Sequence, residues 1–68
     1  MDRRLVSALK EFEALLPEGE VVSATVWSNG NGHLWSSSGA EFYHFSSVEM
    51  ACEYMEAAIQ KSKLAVAA

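Results

Sequence analysis

The sequence predicts an α+β fold of order αβββα, a three-stranded antiparallel meander packed against two helices. Three patterns carry that expectation. An apolar stripe at helical spacing precedes Pro17, alternating segments flank Asn29-Gly30-Asn31-Gly32, and a second helical stripe follows a serine pair.

The first helix is expected over about residues 2–16. Asp2 can cap it, and Leu5, Leu9, Phe12 and Leu16 form one apolar stripe with Lys10, Glu11 and Glu13 off it. Pro17 and Gly19 end it. The first strand is expected over about residues 21–28, rich in β-branched residues, with Val22, Ala24 and Val26 alternating against Ser23, Thr25 and Trp27. Asn and Gly accept the positive φ of tight turns, so residues 29–32 should reverse the chain. A loop centred on Gly30-Asn31 would set Val26 opposite Trp35 and Trp27 opposite Leu34, matching large side chains on both faces.

A second reversal at Ser38-Gly39 places Phe42 beside Trp35 and Tyr43 beside Leu34. The second and third strands then cover about residues 33–37 and 41–45. Ser46 and Glu49 have the spacing of a capping box, with Phe45 and Met50 as a hydrophobic staple. The last helix, about residues 47–64, carries Val48, Cys52, Met55 and Ile59 on its apolar stripe, widened by Ala51 and Ala58.

This register assigns Val22, Ala24, Val26, Trp35 and Phe42 to the core face of the sheet. Trp27, Leu34, Tyr43 and Phe45 fall on the other face, among Ser23, Thr25, Ser36 and Glu41. If both helices cover the core face, that aromatic outer face is a contact site, since Trp and Tyr are favoured binding anchors. If one helix covers each face, no such patch exists. Glu49, Glu53 and Glu56 line one side of the last helix, with Met50 and Tyr54 beside them. The ridge is either a solvated face or a carboxylate surface for a basic partner. The candidate interface is therefore Trp27, Leu34, Tyr43, Phe45, Glu49, Glu53 and Tyr54.

No catalytic, cofactor or metal motif stands out. His33 and His44 fall opposite each other on the face of Trp35, where they read as strand-end polar residues more readily than as a base or ligand pair. Cys52 lies on an apolar stripe and reads as a small buried hydrophobe. Ser36-Ser37-Ser38 is explained by a turn, and Asn-Gly-Asn-Gly lacks the lysine and strand-to-helix setting of a phosphate loop.

The chain has 68 residues, half of them apolar, and one cysteine. That is room for one domain with a small core, no internal disulfide and no zinc set, so self-association as a homodimer is the expected support. No secretory or membrane-spanning segment is evident, which points to the cytoplasm and away from membranes. A net charge of −4 disfavours direct nucleic-acid binding and suits a basic protein partner.

An acidic αβββα chain with a tight hairpin, and a strand running into Phe45-Ser46-Ser47-Val48-Glu49, resembles small accessory proteins of phages and mobile elements, anti-CRISPR inhibitors of host defence among them. The likeness spans roughly residues 22–59 and carries over no functional residue. It implies a non-enzymatic protein that occupies a partner's surface. The rival readings are a homodimeric module binding a small molecule or peptide, and a minimal enzyme with His33 or His44 as base.

Overall fold

The computed structural model describes residues 3–67, and the side chains of residues 3–64. The chain runs α1 (Arg3–Glu13), β1 (Val22–Val26), β2 (Gly32–Ser36), β3 (Ala40–Phe45) and α2 (Val48–Ala67). The strands form one antiparallel sheet in the order β1-β2-β3, so the αβββα meander expected from the sequence is the observed fold. Asp2, the expected first cap, lies outside the described residues.

Regular α-helix ends at Glu13, earlier than the apolar stripe suggests. Leu15 and Leu16 N–H groups bond back to the Phe12 and Glu13 carbonyls, each at 3.0 Å, so the last turn tightens to three-residue spacing. Pro17 accounts for this, because it disfavours helical angles at the residue before it. At the other end of the chain, the cap of α2 is Ser47 rather than Ser46. Ser47 Oγ accepts from the Met50 N–H at 3.3 Å, whereas Ser46 Oγ donates to Met50 Sδ at 3.0 Å. The shift moves Glu49 out of the capping box and into the first turn, where its charge still favours the helix N-terminus. Phe45 and Met50 form no staple, since Phe45 is buried and Met50 is exposed.

The first hairpin corrects the expected register. Val26 pairs with Gly32, not Trp35, a difference of three residues. Trp27 N–H donates to the Asn31 carbonyl at 2.8 Å, Asn31 N–H donates to Asn29 Oδ1 at 3.0 Å, and Gly30 takes φ +93°. Cross-strand matching of large side chains does not decide the pairing; Gly32 does. A Cβ there would collide with the Thr25 carbonyl oxygen and come within 2.8 Å of the Phe45 ring, so only glycine fits where Phe45 covers the strand.

An odd shift exchanges the faces of one strand relative to its neighbour. Leu34 and Phe45, assigned above to the outer face, are 0% and 5% exposed and sit in the core. Trp35, assigned to the core, is 37% exposed on the opposite face. Val26 is also exposed, so the inner face is not covered at that end of β1.

The second hairpin keeps the expected pairs His33–His44 and Leu34–Tyr43, then slips, with Trp35 opposite Glu41 and Ser36 opposite Ala40. Phe42 is the extra residue of this bulge. The bulge turns Phe42 and Tyr43 to the same side, where Phe42 stacks on Phe12 at 5.8 Å and Tyr43 on Tyr54 at 4.1 Å. Trp35 loses Phe42 as its neighbour and gains Glu41.

Both helices lie on the inner face. Leu5 and Ala8 of α1 and Ala51, Cys52 and Met55 of α2 close over Leu34 and Phe45, with Ala24, Tyr43 and Val48 packed around them. Arg4 ties the helices together outside this core, its Nε and Nη2 donating to the two Glu56 carboxylate oxygens at 2.9 and 2.7 Å. Glu56 is thereby removed from the acidic ridge of α2. Ala40 adopts φ +53° although it carries a side chain, while the neighbouring Gly39 does not adopt positive φ.

Two substitutions test this backbone. Gly32→Ala should destabilise the fold by about 1–3 kcal/mol through overpacking against Phe45 and the Thr25 carbonyl. Ala40→Gly should stabilise it by about 0.5–1 kcal/mol, since the left-handed penalty on alanine exceeds the added chain entropy of glycine. Denaturant midpoints measure both, and equal midpoints for wild type and Ala40→Gly would show that the strain at Ala40 does not exceed the entropy cost of glycine.

Candidate functional site

With both helices on one side, the other face of the sheet is uncovered. β1 alternation places Ser23 and Thr25 there, and β2 adds His33 and Trp35. The bulge adds Glu41 to His44 on the same side, although residues three apart on a regular strand would point oppositely. Trp27 leaves β1 with its ring edge-on to His33 at 5.8 Å, and His33 meets His44 at 5.9 Å. A row of three rings therefore crosses the sheet.

Glu41 gives this row its polar centre. Its Oε2 lies 3.0 Å from His44 Nε2 and its Oε1 lies 3.5 Å from His33 Nε2. His33, flanked by Trp27 and His44, keeps a side-chain exposure of 15% against 67% for His44. Trp27, at 52%, is the more exposed of the two tryptophans. The face thus combines two large apolar anchors with a carboxylate and two imidazoles that can give and accept hydrogen bonds. Among the described residues, no three His, Cys, Asp or Glu side chains form a group that could hold a metal ion.

The candidate interface residues do not gather in one place. Trp27 lies on the uncovered face, whereas Leu34 and Phe45 are core. Tyr43 and Tyr54 meet in an aromatic seam between β3 and α2, which Phe12 and Phe42 extend toward α1. Glu49 and Glu53 are exposed on α2. His33 and His44 do pair, on the face of Trp35 as expected, and Glu41 faces outward as expected, whereas Trp35 does so against the expectation. The polar residues Ser23 and Thr25 marked the outward face of β1, and Gly32 marked the row where β2 joins it.

A second feature lies at the far end of α1. Phe12, Leu16, Pro17, Glu20, Ser36, Ser38 and Phe42 line a small cavity of about 220 Å³. The serine turn builds its rim. Ser38 donates to Glu20 Oε1 from its N–H at 2.8 Å and also from its Oγ, Ser36 Oγ accepts from the Gly39 N–H at 3.0 Å, and Ser37 exchanges two bonds with Val21. The serine run therefore fastens the segment after α1 to the β2–β3 turn.

The Ser38 hydroxyl and N–H hold the Glu20 carboxyl below the usual carboxylate range. A group whose pKa is lowered by folding contributes stability above its unfolded pKa and loses it as pH falls through the folded one. The stability gap between wild type and Glu20→Gln should therefore be widest at neutral pH and close on acidification, in thermal melts across that range. A gap that persists unchanged into acid would show that the turn is not held by an anionic Glu20. Among the described residues, no helix is long and apolar enough to cross a membrane. Comparison with known proteins finds no matching family model, no matching curated protein and no matching solved structure.

Proposed function

We propose that this chain is a non-enzymatic protein-interaction module that occupies the surface of a basic partner protein, using the uncovered sheet face. The observation that carries the reading is the placement of both helices on one side, which leaves Trp27 and Trp35 exposed on the other. Tryptophan brings large contact area, and such anchors dominate binding energy in many interfaces. The polar group of Glu41, His33 and His44 beside them supplies orientation. The net charge of −4 favours encounter with a basic surface. Inhibitors of the phage-accessory kind need only a face of this sort, since they work by covering a partner.

The test is capture of a partner by the tagged chain, followed by the same capture with Trp27→Ala and Trp35→Ala. Both variants should keep the wild-type circular dichroism and melting point, because neither side chain is in the core. Each should weaken a purified complex by about 30-fold, the loss typical of a tryptophan anchor. The complex should also weaken with added salt. Unchanged affinity in both variants would sink the reading. A stable dimer by light scattering that Trp27→Ala and Trp35→Ala both convert to monomer would assign the face to a second copy instead.

A further inference from the structure

Resting on the reading of a basic partner, we infer that the cavity between the end of α1 and the β2–β3 turn is a socket for one arginine side chain of that partner. Its volume, about 220 Å³, lies below the roughly 300–1,000 Å³ of pockets that take whole small-molecule ligands. It suits a single long side chain. Phe12, Phe42, Leu16 and Pro17 make apolar walls for a methylene stem, and Glu20 stands at the polar rim.

Glu20 is set up to receive a cation. Ser38 directs both of its donors to Oε1, so a donor from outside would reach the carboxylate at Oε2, on a group whose anionic form the Ser36 and Ser37 hydroxyls also favour. The charge around the socket is net negative. Between residues 10 and 20, Lys10 stands against Glu11, Glu13, Glu18 and Glu20, which leaves −3 of the chain's total of −4 in this segment. Lys10 lines a neighbouring shallow depression and is not part of the socket wall. The C-terminal end of α1 adds the negative pole of a helix dipole.

Arginine fits this combination better than lysine. Guanidinium is less strongly hydrated than ammonium, packs against aromatic side chains and presents a planar fork to a carboxylate. The socket is therefore a specificity element separate from the tryptophan face: it selects the residue type at one point of the partner.

The experiment titrates the full chain with N-acetyl-arginine methylamide and follows backbone amide shifts by NMR. Lysine and citrulline analogues serve as controls, citrulline keeping the shape of arginine without its charge. Saturable shifts confined to the socket segments, residues 12–20 and 36–42, are expected. Affinity should fall with lysine, and by about tenfold or more with citrulline, the loss of one charge-assisted hydrogen bond. Glu20→Gln should lower arginine affinity by a similar factor. Because Glu20 also fastens a turn, the citrulline comparison, made on the unaltered protein, keeps the test valid if that variant rearranges. Equal shifts with citrulline, shifts centred on Trp27 and Trp35, or no saturation with arginine would each overturn the socket. Such a failure is distinguishable from failure of the interaction reading, because the tryptophan variants report on a different face.

Discussion

Phe45 lies over Gly32, and Gly32 pairs on its other side with Val26, so one row of the sheet joins all three strands at a point of close backbone approach. A side chain at position 32 has nowhere to go, because the Thr25 carbonyl and the Phe45 ring already fill the space. That steric limit fixes which residues of β1 and β3 can flank β2. Once the row is set, side-chain alternation determines the rest: Leu34 turns inward to be fully enclosed by the helices, and Trp35 turns outward. The core and the uncovered face are two results of the same constraint.

The bulge at Phe42 acts on top of that alternation. Without it, β3 would send Phe42 outward and Tyr43 inward, and Glu41 would point with Tyr43. The extra residue lets both aromatics enter the inner layer, where they join Phe12 and Tyr54. It also delivers Glu41 to the two histidines on the opposite side. A single irregularity thus completes the packing between helices and sheet and assembles the polar centre of the candidate site.

Much of the fold was legible because helical stripes and turn residues are local signals. The apolar stripe from Val48 to Ile59, the pairs His33–His44 and Leu34–Tyr43, and the reversal after Ser36 all follow from residues close in sequence. The face assignment was not legible by the same means. Opposing Val26 with Trp35 and Trp27 with Leu34 maximises contact between large side chains, yet it ignores the close approach that only Gly32 permits. The bulge was hidden because Phe42 and Tyr43 look like ordinary alternating residues. The positive φ fell on Ala40, although Gly39 beside it is the residue chemistry favours. For the site, Trp27 and Glu41 face outward as expected, Glu41 by way of the bulge, while Trp35, Leu34 and Phe45 change face because of the register.

Both tryptophans of the chain lie outside the core, and this gives the protein an unusual optical property. In most small domains a buried indole reports folding through its emission. Here Trp27 and Trp35 are already in partial contact with water in the native state, so unfolding changes their surroundings less than it would those of a buried indole. Covering the open sheet face would change them a great deal. Intrinsic fluorescence in this molecule is consequently a gauge of occupancy at that face, and loss of the fold is better followed through the helices or the tyrosine seam.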